Sequence, residues 1–99
     1  MSIHESGQMY LETIYILSQT KSYVRAIDVG EHLGYSKPSV SRAMSILKKN
    51  GYVLVDSDGA ITLTESGMEI AQTMYTRHTV LSEMLIRLGV DEKTATEDA

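Results

Sequence analysis

Residues 36–51 read SKPSVSRAMSILKKNG and carry Lys37, Arg42, Lys48 and Lys49 with no acidic residue among them. The whole chain has nine basic and 13 acidic residues, so positive charge is concentrated in this one stretch. The chemistry such a set can do is DNA recognition. An arginine can grip guanine O6 and N7 with two parallel hydrogen bonds, and serine hydroxyls can contact bases. Lysines neutralise phosphates, which positions a protein on the duplex without specifying sequence. Spacing separates two faces. Val40, Met44 and Leu47 recur at i, i+4, i+7, the apolar stripe of an amphipathic helix. Ser36, Ser39 and Arg42 recur at i, i+3, i+6 on another face near the N-terminal end, with Ser41 alongside. Reading helices present base contacts from that end. The expected DNA-contact set is therefore Ser36, Lys37, Pro38, Ser39, Ser41, Arg42 and Lys48 on a helix of about 36–50. Arg25, before the preceding helix, is expected to meet a phosphate.

The elements that must position this face can be read on either side. Ser36 is a good N-cap, Pro38 fits a first turn where its missing N–H is harmless, and Gly51 suits the residue after the helix. A first helix is expected from about Glu5 to Thr20, with Tyr10, Ile14 and Leu17 at helical spacing. AIDVGEHLG predicts a short helix carrying Ile27, Val29 and Leu33 and closed by Gly34. Two β-branched runs flank Ser57-Asp58-Gly59, a hairpin signal. Thr64 reads as the cap of a long helix to about Leu88, along which Ala71, Met74, His78, Leu81, Leu85 and Leu88 form one seam. Gly89 ends it, and Asp91 reads as the cap of another. The expected fold class is mainly α with a small β-hairpin: a winged helix-turn-helix followed by a long linker or dimerisation helix. The wing tip carries Asp56 and Asp58, so a weak role on phosphate is expected of it.

Composition narrows the function. Net charge is −4 and the pI about 5.2, which excludes indiscriminate coating of nucleic acid but allows a local basic face. Without cysteine there is no disulfide framework and no thiolate metal site. No apolar run reaches the roughly 20 residues that span a bilayer. MSIHESGQ lacks the basic region and apolar core of a secretory signal, so the expected compartment is the cytoplasm and no membrane partner is expected. No nucleophile–base pair, phosphate-binding glycine loop or catalytic metal motif is present, and an enzyme is not expected.

Four stretches taken together resemble the diphtheria-toxin-repressor family of metal-dependent transcriptional regulators, which has iron-responsive and manganese-responsive members. They are MYLETIYIL, SKPSVSRAMSILKKNGYV, ITLTESGMEIA, and RHTVLSEML followed by LGVDE. The resemblance spans nearly the whole chain. It implies a homodimer that binds a palindromic double-stranded DNA operator when loaded with a divalent transition metal, Mn2+ or Fe2+, and that represses metal-homeostasis genes. It also implies metal positions. Met9 stands where iron-type members carry methionine and manganese-type members aspartate. Glu12 matches a ligand position of the manganese type, and His78 one of both types. Ser82 departs from the glutamate usual four residues after that histidine, and Glu83 is turned about 140° from His78. Thr96 departs from a histidine found in some members. The family's further ligands come just beyond the last residue of this sequence. The resemblance therefore implies a winged helix-turn-helix domain over 1–64 and an incomplete start of a metal-binding and dimerisation domain over 65–99.

The residues themselves leave alternatives open. Met9 and Glu12 are i, i+3 neighbours, and a methionine or a glutamate beside an apolar stripe is more often filler or water-seeking. A lone histidine in an apolar seam is more often a core residue with one hydrogen bond. As a set, N, O and S donors suit Fe, Mn, Co, Ni or Zn better than Ca or Mg. His4 and His32 read as surface residues, and Glu97 and Asp98 as part of a solvated tail. A metal-independent winged-helix regulator and a winged-helix protein-interaction module compete with the metalloregulator.

Overall fold

The computed structural model describes residues 5–89. Its elements run α1 (Glu5–Ser18), α2 (Ala26–Leu33), α3 (Lys37–Lys49), β1 (Val53–Val55), β2 (Ile61–Leu63) and α4 (Glu65–Arg87). This is the expected order of helices and hairpin. The helix expected beyond Gly89, and the readings of His4, Thr96, Glu97 and Asp98, lie outside the described residues.

Local chemistry fixes each end of α3. The Ser36 backbone is extended and its Oγ accepts from the Ser39 N–H at 3.4 Å, with Pro38 in the first turn. At the other end the Tyr52 N–H donates to the Leu47 carbonyl at 2.9 Å and the Gly51 N–H to that of Lys48 at 3.1 Å. This paired closure needs a left-handed residue, and Gly51 supplies it at φ 80°. Val40, Met44 and Leu47 are buried, as their spacing requires. In α2 Val29 is fully buried and Leu33 half-buried, but Ile27 is 63% exposed. Two residues apart on a helix means about 200° apart, so Ile27 and Val29 cannot share a face.

The wing is a two-stranded antiparallel ribbon with Val53 opposite Leu63, Leu54 opposite Thr62 and Val55 opposite Ile61. Val53 and Ile61 are buried while Leu54 and Thr62 point outward. Between the strands, Asp56 Oδ1 accepts from the N–H groups of Asp58 and Ala60, both at 2.9 Å. Thr64 then caps α4: its Oγ1 accepts from the Gly67 N–H at 3.2 Å and donates to the Gly51 carbonyl at 2.7 Å.

One core joins all these pieces. Tyr10, Leu11 and Ile14 of α1 pack with Val29, Val40, Met44, Leu47, Tyr52, Val53, Ile61 and Ala71. The first turns of α4 are thus built into the body. Farther on, Leu81 and Met84 of α4, and Leu88 at its C-cap, are exposed. None of the described helices is long and apolar enough to cross a membrane.

Candidate nucleic-acid interface and metal corner

With its apolar stripe committed to the core, α3 turns Ser39, Ser41, Arg42, Ser45 and Lys48 to solvent. Lys37 and Pro38, in its first turn, are exposed as well. Ser36 donates to Ser39 Oγ at 2.9 Å, so the two hydroxyls are engaged with each other at the helix entry, with the Ser39 proton left to donate. Ser41, Ser45 and Lys48 line one wall of a groove of about 260 Å³ whose other walls are Ala26 and the wing residues Val55, Gly59 and Ile61. Ser45 was not singled out from sequence. Its signal was there, because it stands four residues after Ser41 and three before Lys48. Arg25 is near this groove but is already occupied in part: its Nε donates to the Asp58 carbonyl of the wing tip at 3.3 Å.

A second cluster forms where α1 meets α4. His78 Nδ1 lies 2.7 Å from Glu12 Oε2, so two of the three residues singled out for metal are in contact across 66 positions of sequence. Glu12 is half-buried and His78 exposed, which differs from a histidine buried in an apolar seam. Leu81, the next residue of the seam, is likewise 56% exposed, so this stretch of α4 lies outside the core. Met9 is oriented by another partner. Its Sδ accepts from the Tyr35 hydroxyl at 3.7 Å, and the Tyr35 ring stands edge-on to Tyr10 at 6.0 Å. Burial and then the nearby Tyr35 push the Tyr10 hydroxyl above its ordinary value, which keeps it protonated. No group of three or more His, Asp or Glu side chains is gathered among the described residues. An imidazole and a carboxylate in contact at a water-accessible corner still fit part of a divalent-metal donor set.

Residues 2–61 match the model of the iron-dependent repressor N-terminal DNA-binding domain. The chain belongs to the iron-dependent repressor family. This repressor-family chain is 33% identical over 93 residues to the HTH-type transcriptional regulator MntR of Lysinibacillus sphaericus (strain C3-41), covering 94% of itself and 67% of that protein. It is likewise 33% identical over 93 residues to MntR of Bacillus subtilis (strain 168), covering 94% and 66%. It thus spans about two thirds of the length of these curated relatives. Among solved structures it is similar to the manganese regulator SloR, with a TM-score of 0.72 and 25% identity over 92% of this chain and 41% of that one. ScaR with bound Zn2+ shares the fold at TM-score 0.77 and 22% identity, over 92% and 43% of the two chains. So does the Staphylococcus aureus MepR–DNA complex, at 0.67 and 20%, over 96% and 70%. The winged helix-turn-helix expected from sequence is the fold, and the iron-dependent repressor family is one of DNA-binding transcriptional regulators rather than enzymes.

Proposed function

We propose that the chain is the DNA-reading part of a metal-dependent regulator that represses metal-homeostasis genes, acting as a homodimer on a palindromic operator. Residues 1–64 are the reading domain and 65–99 begin the metal-binding and dimerisation region, whose helix α4 packs its first turns into the reading body. The observation that carries this reading is the solvent-facing set on α3, Ser39, Ser41, Arg42 and Lys48, on a helix fixed at both ends within a repressor-family domain. Arg42 reads a base edge. Ser36, Ser39 and Ser41 hydrogen-bond bases or phosphates. Lys37, Lys48 and Arg25 hold phosphates, and Pro38 shapes the entry of the helix.

Glu12 and His78 would hold a divalent transition metal, Mn2+ or Fe2+, with Met9 as a third donor; bound there, it would supply positive charge at the α1–α4 junction. Glu12 and His78 belong to different elements, so sharing one partner would bias the angle of α4 to the reading body. Half-sites one helical turn apart, roughly 34 Å, require that angle to be right in both copies.

The test is a titration of the chain against a palindromic operator library at fixed salt, anaerobically, with and without Mn2+ or Fe2+. Sequence-specific binding that requires metal is the expected result. Arg42→Ala should weaken specific binding by about 5- to 150-fold, the worth of one bidentate base contact, and relax preference at one base pair. Specific binding indifferent to metal would leave a metal-independent regulator. Unchanged binding by Arg42→Ala would remove α3 as the reader.

A further inference from the structure

Arg25 stands where the helix-turn-helix meets the wing. Its backbone N–H donates to the Asp28 carboxylate at 2.9 Å, and its carbonyl accepts from the N–H groups of Asp28 and Val29. Those contacts start α2 whatever side chain residue 25 carries. The side chain has a separate task. Its Nε donates to the Asp58 carbonyl at 3.3 Å, and its guanidinium lies 5.9 Å from the centre of the Tyr23 ring. One residue earlier, the Val24 carbonyl accepts from the Ile61 N–H at 2.7 Å. The wing is thus pinned to residues 24–25 twice, by backbone at the start of β2 and by the Arg25 side chain at the tip.

The tip needs such a pin. From residue 53 to 64 the wing has no basic residue and carries Asp56 and Asp58. Its own charge would drive it away from a phosphate backbone. A guanidinium has five N–H donors in a fixed fork, and the bond to Asp58 uses one of them. The terminal nitrogens keep the other four.

We propose that Arg25 is a positioning residue for the wing: Nε holds the Asp58 carbonyl while the terminal nitrogens take a DNA phosphate, so that phosphate binding and wing placement are one event. This rests on the DNA-binding reading above. It also assigns the width of the groove between α3 and the wing to Arg25, since Gly59, the residue after Asp58, lines that groove.

Two substitutions separate the two tasks. Glutamine places its amide nitrogen as many bonds from Cα as arginine places Nε, and it carries no charge. Arg25→Gln should therefore keep the wing and lose the phosphate. Arg25→Ala should lose both. In the DNA-free full chain, the amide NMR shifts and hydrogen exchange of Gly59 and Ala60 should match the unsubstituted protein in Arg25→Gln and depart from it in Arg25→Ala. In operator titrations across salt concentrations, both variants should lose about 0.9 from the slope of log K against log salt, one phosphate contact. At any one salt Arg25→Ala should bind roughly five-fold more weakly than Arg25→Gln, the net worth of a single hydrogen bond. Unperturbed wing amides in Arg25→Ala would overturn the pin. Equal operator affinity of the two variants at every salt would overturn its role on DNA. Were the unsubstituted chain to bind no operator, the DNA-binding reading and the phosphate half would fall, while the wing amides of Arg25→Ala would still decide the pin.

Discussion

Asp28 shows how much one side chain can organise. Its carboxylate accepts the Arg25 N–H at 2.9 Å and lies 3.5 Å from the Lys21 ammonium. The Arg25 hydrogen bond holds the carboxyl below its ordinary value of 3.8; burial opposes it, and the Lys21 charge adds a smaller lowering effect. A group whose folded value is depressed adds stability that is fully present above the unfolded value and is lost as pH falls through the folded one. Asp28→Asn should therefore lower stability in urea melts at neutral pH, and the gap to the unsubstituted protein should close on acidification below 3.8. A gap that stays constant with pH would mean the charge of Asp28 is immaterial. The capping role of Ser36 and the burial of Val40, Met44 and Leu47 were legible in sequence because they depend on neighbours within two turns. The Arg25–Asp58 and Tyr35–Met9 contacts were not, because they span 33 and 26 residues and exist only once the helices have packed. Glu12 and His78 could be paired in advance only through the family resemblance.

Elements were read more easily than their junctions. Helix ends announce themselves by caps, as Ser36, Gly51 and Thr64 do, and the hairpin by Asp58-Gly59. How α4 leaves the wing was not legible, because a glycine inside a helix looks like nothing but a cost of about 1 kcal/mol against alanine. At Gly67 the structure gives the reason for it. A Cβ there would lie 2.1 Å from the Tyr52 carbonyl oxygen and 3.1 Å from its carbon. Backbone atoms cannot rotate away as a side chain tip can. Gly67→Ala should therefore destabilise the chain although alanine favours helices, by about 1–3 kcal/mol as for other overpacked sites. Thermal melts would show this as a Tm lower by about 4–8 °C for each kcal/mol. An unchanged or raised Tm would mean that α4 does not approach the Tyr52 backbone, just before β1, as closely as this.

At the scale of the whole molecule, α4 begins as a core helix and ends as an exposed one. The Ala71–Leu88 seam is buried at Ala71, half-buried at Met74 and Leu85, and open at Leu81 and Leu88. The molecule is correspondingly long, 48 × 27 × 24 Å. Leu81, Met84 and Leu88 are 56%, 53% and 75% exposed along this half of the helix, an apolar surface that nothing among the described residues covers. The proposed homodimer gives it a cover: a second copy of α4, on which the same seam is self-complementary about a two-fold axis. Pairing would bring together two chains of formal charge −4, so it should strengthen as salt screens their repulsion. That is opposite in sign to the salt dependence of DNA binding. Leu81→Lys combined with Met84→Lys should shift the chain towards monomer in sedimentation. Both positions are exposed and so contribute little to the core, and the Tm of the monomer should hold. Operator affinity should then fall because each half-site is read separately. If the double variant sediments as the unsubstituted chain does, this face of α4 is not the dimer surface.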